Sequence, residues 1–100
     1  MYIVRQTEEF QRWLDGLRDK RAQVRIAARI RLVEAGNLGD WAAVAGEVSE
    51  MRVDIGPGYR LYFTRRRRAI ILLLCGGDKS TQNRDIKRAT RIAGEIGDDL

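Results

Sequence analysis

Two short alternating segments put Glu50, Arg52 and Asp54 on one side of a chain reversal and Arg60, Tyr62 and Thr64 on the other. Guanidinium groups present forked donors to phosphate oxygens, and a carboxylate or phenol beside them can move a proton. The reversal is written in Gly56-Pro57-Gly58, where both glycines tolerate positive φ and proline fixes its own. Met51, Val53 and Ile55 alternate with the polar residues of the incoming segment, and Tyr59, Leu61 and Phe63 with those of the outgoing one. That is the pattern of a β-hairpin. A loop of residues 56–58 pairs Ile55 with Tyr59, Asp54 with Arg60 and Arg52 with Tyr62, which keeps the apolar residues on one face. The pattern therefore predicts a polar sheet face able to grip a phosphate. The same face can equally consist of cross-strand ion pairs, Glu50 with Arg52 and Asp54 with Arg60, that need no ligand.

The rest of the chain supplies elements to hold this hairpin. Tyr2 to Arg5 is β-prone, and Thr7 is a good N-cap for a helix whose first turn holds Glu8 and Glu9. Phe10, Trp13, Leu14 and Leu17 form its apolar stripe. Asp19 can cap a second helix with Ala22, Ile26, Ile30 and Val33 buried, ended by Gly36. The tight connection predicts an antiparallel helical hairpin. Asn37 to Gly46 reads as a loop of glycine and small residues with Trp41 tucked onto the core. Four consecutive arginines, Arg65, Arg66, Arg67 and Arg68, read as an exposed turn before the apolar strand Ala69 to Cys75. Ser80 to Ile96 has the pattern of a third amphipathic helix, with Asp78 or Ser80 as its cap. The expected order is β-α-α-β-β-β-α. It predicts an α+β fold, helices on one face of an antiparallel sheet and the polar row on the other.

At 100 residues the chain suits one domain, 1–100, with one modest core. Nineteen Lys and Arg against fourteen Asp and Glu give a net charge of +5, and this basic balance favours a polyanionic or acidic partner. Arg21, Arg25 and Arg29 recur every fourth residue as a basic ridge. With Arg65 to Arg68 they are the candidate RNA-backbone contacts, beside the plainer reading of solvated charge. There is no histidine, and Cys75 is the only cysteine, at the end of an apolar run. Histidine general bases and histidine metal sites are thereby excluded, no metal or other cofactor is called for, and Cys75 is expected to be a buried thiol. With no basic-then-apolar leader pattern and no apolar run of bilayer length, the expectation is a cytoplasmic chain without a membrane contact.

The segments Glu50-Met-Arg52-Val-Asp54-Ile-Gly-Pro-Gly-Tyr-Arg60-Leu-Tyr62 and Leu74-Cys-Gly-Gly-Asp-Lys79-Ser-Thr-Gln82 resemble the RelE/ParE superfamily of toxins from type II toxin–antitoxin modules. Within it the chain is most similar to the HigB-like addiction module killer proteins, as Phe10-Gln-Arg-Trp13-Leu14, Arg29-Ile-Arg-Leu and Gly36-Asn37-Leu-Gly39-Asp40 also indicate. The resemblance covers nearly the whole chain. It implies a β-α-α-β-β-β-α fold, an RNase that cuts mRNA, commonly in the ribosomal A site, and a helix-turn-helix antitoxin that neutralises it. Operator DNA would be met only through that antitoxin. Arg60 matches the arginine that contacts the scissile phosphate in the family, Arg52 a basic position on the preceding strand, and Lys79 a basic residue after the last strand. The chain departs from RelE twice: Glu50 stands where RelE has a second lysine, and no tyrosine follows Tyr62.

RNA cleavage without a metal needs the 2′-hydroxyl deprotonated, the phosphorane stabilised and the 5′-oxygen protonated. Arg52 and Arg60 suit the second task. Glu50 is the candidate base, and Lys79 or Tyr62 the candidate acid. Two other readings stand beside this one, a ParE-like inhibitor of DNA gyrase and a catalytically degenerate toxin that survives as an antitoxin-bound corepressor.

Overall fold

Three helices and five strands alternate along residues 1–97, the part of the chain that the computed structural model describes. They are β1 (Ile3–Gln6), α1 (Glu8–Asp15), α2 (Lys20–Glu34), β2 (Trp41–Ala45), β3 (Val48–Val53), β4 (Tyr59–Arg66), β5 (Ile70–Asp78) and α3 (Gln82–Ile96), with a 3₁₀ turn at Lys79–Thr81. The last three positions of the expected 1–100 domain lie outside the described residues. The strands form one mixed sheet in the order β1-β5-β4-β3-β2. β1 runs parallel to β5, and every other neighbour is antiparallel. The fold is α+β, as expected.

The starts of α1 and α2 follow the sequence, whereas α3, expected from Ser80, begins at Gln82 without a side-chain cap, because Asp78 caps the 3₁₀ turn before it. Thr7 Oγ1 accepts from the Phe10 amide at 3.1 Å and donates to the Leu74 carbonyl at 2.6 Å, so one hydroxyl caps α1 and ties it to β5. Asp19 accepts from the amides of Arg21 and Ala22 at the start of α2. Gly36, with φ of 103°, closes the far end of α2 in the left-handed region. α1 lies against β5 and α2 against β1 and β3, and Gln23 of α2 donates to the carbonyls of Leu14 and Asp15 in α1.

Two layers of core cover the sheet. On one face Phe10, Ile26, Ile30 and Val33 meet Met51, Leu61, Phe63, Ile71 and Leu73. On the other, Ala89, Ile92 and Ala93 of α3 meet Val48, Tyr62, Leu72, Leu74 and Cys75. The expected arrangement, with helices on one face and an open polar row on the other, is therefore corrected. Helix α3 needs a surface for its apolar stripe, and the polar-row face supplies it through Tyr62, Leu72, Leu74 and Cys75. A bulge places Tyr62 opposite Cys75 but Phe63 opposite Leu73. It re-phases β5 so that Gly76 faces α1 and Gly77 faces α3.

Four further expectations change. The segment 37–46 contains an edge strand, Trp41 pairing with Met51 and Ala42 with Glu50. Alanines at that edge gave no strand signal. Trp41 is 46% exposed and touches the core only edge-on, at 6.2 Å from Phe63. Half of the arginine run is strand, since Arg65 and Arg66 pair with Ile71 and Ile70, while Arg67 and Arg68 turn, both at positive φ. β5 also continues past Cys75 through Gly76, Gly77 and Asp78. Among the described residues, no helix is long and apolar enough to cross a membrane.

Candidate functional site

The hairpin register differs from the expected one by two residues. Val53 pairs with Tyr59, Arg52 with Arg60 and Glu50 with Tyr62, so the loop runs from Asp54 to Gly58. Gly56 and Gly58 take φ of 56° and 81°, and the Gly58 amide donates to the Ile55 carbonyl at 3.0 Å. That turn closes on itself instead of extending the ladder. A shift of two keeps every side chain on its face, so Glu50, Arg52, Arg60, Tyr62 and Thr64 still share one surface. Asp54 leaves it for the exposed loop, and the expected Asp54–Arg60 pair does not form.

Glu50 is the hub. Its side chain is 2% exposed, and Oε2 accepts from Arg60 at 2.6 Å and from Arg52 Nε at 3.0 Å. Oε1 accepts from the Gln82 amide at 3.3 Å, which links the hub to the first turn of α3. Arg52 reaches outward as well, to Asp40 at 3.3 Å. The hydrogen bond that Arg52 donates to Glu50, then the charge of Asp40, hold Arg52 above its ordinary pKa. Arg60 is mostly covered, at 15% exposure, whereas Arg52 is 41% exposed. One carboxylate thus fixes two guanidiniums side by side while leaving Arg52 open to solvent.

The remaining candidates divide by burial. Lys79 is exposed, and its amide donates to the Gly58 carbonyl at 2.9 Å, which pins the end of β5 to the hairpin turn. A depression of about 430 Å³ runs along Lys79, Ser80, Thr81, Gln82, Asn83 and Arg84. Asp78 caps this turn, accepting from the Ser80 amide at 2.8 Å and the Ser80 hydroxyl at 2.5 Å, and these bonds lower its pKa. Tyr62, expected on the open face, is completely buried beneath α3, and its hydroxyl has no hydrogen-bond partner. Burial, then the charges of Glu50 and Asp85, push its phenol well above the ordinary value. Thr64 is buried there too, its hydroxyl likewise unpartnered. Cys75 is buried against α3, and burial raises its thiol to about 11.

No family model matches the chain. An uncharacterized protein of Haemophilus influenzae is 44% identical to it over 94 residues, spanning 94% of this chain and 95% of that protein. The chain belongs to that protein's family. The shared length takes in nearly all of the sheet and helices just described, so the two proteins share the fold and not merely a motif.

The arginines expected to contact RNA do not form one surface. Arg29 is a staple, donating to the carbonyls of Arg52 at 2.7 Å and of Leu38 and Asp40 at 2.9 Å, so it is committed to the protein and not to a phosphate. Arg66 is likewise engaged, by Glu47 at 2.6 Å and by the carbonyls of Ala93 and Gly97 at the end of α3. Arg65 lies over the Tyr2 ring at 5.0 Å and donates to the Arg68 carbonyl. Arg21, Arg25, Arg67 and Arg68 are exposed and make no ion pair among the described residues. Arg67 and Arg68 sit at the far end of β4 from Arg60, roughly 20 Å away at the rise of an extended strand.

Three participants were not singled out as site residues in the sequence. Gln82 and Asp40 stood there only at the ends of segments that carry the resemblance. Asp85 is buried, accepts from Thr81 at 2.5 Å and meets Arg88 at 3.4 Å. It fits only because Gly77 opposite has no Cβ, which would overlap its carboxylate. The glycine was visible, but what it made room for was not. Among the described residues, no three His, Cys, Asp or Glu side chains gather where one ion could bind them.

Proposed function

We propose that this protein is the toxin of a type II toxin–antitoxin module in the RelE/ParE superfamily, an endoribonuclease that cuts mRNA at the ribosome and so inhibits translation. The observation that carries the reading is the cross-strand pair Arg52–Arg60, locked on a single Glu50 oxygen, in a hairpin whose turn is tied to the exposed Lys79. The five-stranded sheet, with its hairpin turn tied to the end of β5, supports the fold expected from the resemblance. In this reading the 2′-hydroxyl attacks the adjacent phosphate, the bond to the 5′-oxygen breaks, and a 2′,3′-cyclic phosphate and a 5′-hydroxyl remain. Arg52, with Arg60 behind it, stabilises the charge of the phosphorane, and fixed donors do this without reorganising. Lys79 delivers the proton to the leaving oxygen. Glu50 acts as base only when the incoming hydroxyl replaces one of its guanidinium partners. Tyr62, sealed from solvent, is left out of the proton path.

A second reading, the corepressor without catalysis, is favoured by the same hub, because a buried carboxylate engaged by both arginines is reached by a substrate hydroxyl only if one of them is displaced. Expression of the chain in a bacterial host separates the two. The nuclease reading expects growth arrest that folded Arg60→Ala and Lys79→Ala variants relieve, and mRNA fragments with 5′-hydroxyl ends. Fragments with 5′-phosphate ends, or arrest undiminished in both variants, would refute it. Unimpaired translation with altered DNA supercoiling would point instead to a gyrase inhibitor.

A further inference from the structure

Past Leu74 the outer edge of β5 has no strand beside it. β1 ends at Gln6 opposite Leu73, and Thr7 takes the carbonyls of Leu73 and Leu74. Beyond that point a cavity of about 410 Å³ opens between α1 and the first turns of α3. Trp13, Leu17 and Tyr59 give it apolar surface, Gly76 and Gly77 bare backbone, and Arg84 and Arg88 positive charge. The glycines are required by what surrounds them, since a Cβ on Gly76 would overlap the Trp13 ring and one on Gly77 the Asp85 carboxylate.

The cations of this cavity are poorly used. Arg88 Nη2 donates to the Gly76 carbonyl at 3.5 Å and to Asp85 at 3.4 Å, both long. Its buried Nε has no hydrogen-bond partner, and the nearest carboxylate oxygen, from Glu9, is 3.7 Å away. The guanidinium is thus held in place by charge while most of its five donors remain open to a better acceptor. Arg84 is exposed and makes no ion pair among the described residues.

We propose that this cavity binds a guanine base, with the ring against Trp13, O6 and N7 on the Arg88 fork and the attached phosphate on Arg84. The inference does not depend on the chain being a nuclease. Guanine presents two adjacent acceptors on one edge, the pattern that an arginine meets in bidentate fashion; adenine has an amino donor in place of one of them, and pyrimidines lack the pair. An unstacked base also finds in Trp13 an aromatic surface to lie on. A peptide strand fits the edge less well. Only the residues from Cys75 to Asp78 are free for it, between the Thr7 contacts and the turn at Lys79, and it would leave the Arg88 fork unanswered.

Trp13 can report the binding, because a base stacked on indole quenches its fluorescence, and Trp41→Phe leaves it as the chain's single tryptophan. The full-length Trp41→Phe protein is titrated with GMP, AMP and CMP, and with the RNA tetranucleotides UGUU and UAUU carrying 2′-O-methyl sugars that block attack by the 2′-hydroxyl. Saturable quenching is expected from the guanine ligands, with affinities about tenfold above those of their adenine counterparts. 7-Deaza-GMP, which lacks the N7 acceptor, should bind as weakly as AMP. Arg88→Lys keeps a charge beside Asp85 but loses the fork, so the guanine preference should disappear while Tm stays that of the parent. Should that variant prove unstable, the 7-deaza comparison, made on an unaltered cavity, still decides. GMP binding as tightly as UGUU assigns the cavity to a free guanine nucleotide, and UGUU binding about tenfold tighter assigns it to a strand of RNA; both uphold the proposal. Equal affinity for guanine and adenine ligands, a preference that survives in folded Arg88→Lys, or quenching by none of them overturns it. None of these ligands can be cut, so the result is independent of whether the chain cleaves RNA.

Discussion

Replacing Glu50 by glutamine removes one charge and almost no volume, so the loss it causes measures the carboxylate alone. At 2.6 Å, with an effective dielectric of about 20, the Arg60 guanidinium gains a gross attraction of about 6 kcal/mol from Glu50. Desolvation of the two charges cancels much of that, and removing one member of a buried pair typically costs about 3–5 kcal/mol. Arg52 is 41% exposed and keeps Asp40, so it adds little, and the lower end applies here, about 3 kcal/mol. For a domain of this size that lowers Tm by about 12–24 °C. Urea unfolding followed by the fluorescence of Trp13 and Trp41 measures it. A cycle with Arg60→Met isolates the pair: the double variant should be more stable than the sum of the single losses predicts, by about 2 kcal/mol. A loss below about 1 kcal/mol for Glu50→Gln, or a coupling below about 0.5 kcal/mol, would show that the carboxylate is not what holds the two arginines together.

Tyr62→Phe removes a buried hydroxyl that has no partner, so stability should be unchanged or rise by about 1 kcal/mol, with any RNA cleavage intact; a hundredfold loss of cleavage in the folded variant would return Tyr62 to the proton path. Gly77→Ala forces a methyl group into the Asp85 carboxylate, and Gly76→Ala forces one into the Trp13 ring, so each should destabilise by about 1–3 kcal/mol in thermal or urea unfolding; neutral effects would mean that the sheet edge gives way freely. The Cys75 thiol titrates at 9.0 when unperturbed and near 11 when folded, because burial favours the neutral form. Its folded pKa is the raised one, so its stabilising effect is complete below pH 9 and is lost as pH climbs towards 11. Over that window stability should fall by up to about 2–3 kcal/mol in the parent and by less in Cys75→Ala, as urea midpoints measured across the range would reveal; identical pH slopes would rule the thiol out as the source.

The helices and the hairpin were legible because local chemistry decides them. Thr7, Asp19 and Gly36 act where their side chains or backbone freedom predict, and alternation in β3 and β4 put Glu50, Arg52, Arg60 and Tyr62 on one face even though the register was off by two. What stayed hidden depends on partners distant in sequence. β2 exists because β3 offers it an edge, not because Trp41-Ala-Ala-Val-Ala prefers to be extended. The face that α3 covers could not be read from its own stripe, since an amphipathic helix specifies that it buries one side and not which side of a sheet receives it. That one missing fact turned Tyr62 and Thr64 from surface candidates into core residues. The arginines show the same limit: Arg29 and Arg21 look alike in sequence, yet one is bonded to three carbonyls and the other is free.

The hub sets two requirements against each other. Two guanidiniums placed opposite one another repel, and without a shared counterion they would turn apart, so Glu50 makes the pair possible. The same carboxylate competes with any phosphate that arrives. Exposure decides how the competition runs. Arg60 at 15% exposure is bonded at 2.6 Å and holds Glu50 in place, while Arg52 at 41% donates only its Nε to Glu50 and donates its Nη1 to the exposed Asp40. On the proposed reading, a phosphate displaces Asp40, a surface contact worth little, without breaking the buried bond. Arg52 is then the group that meets it, and Arg60 with Glu50 is the frame that keeps Arg52 aimed.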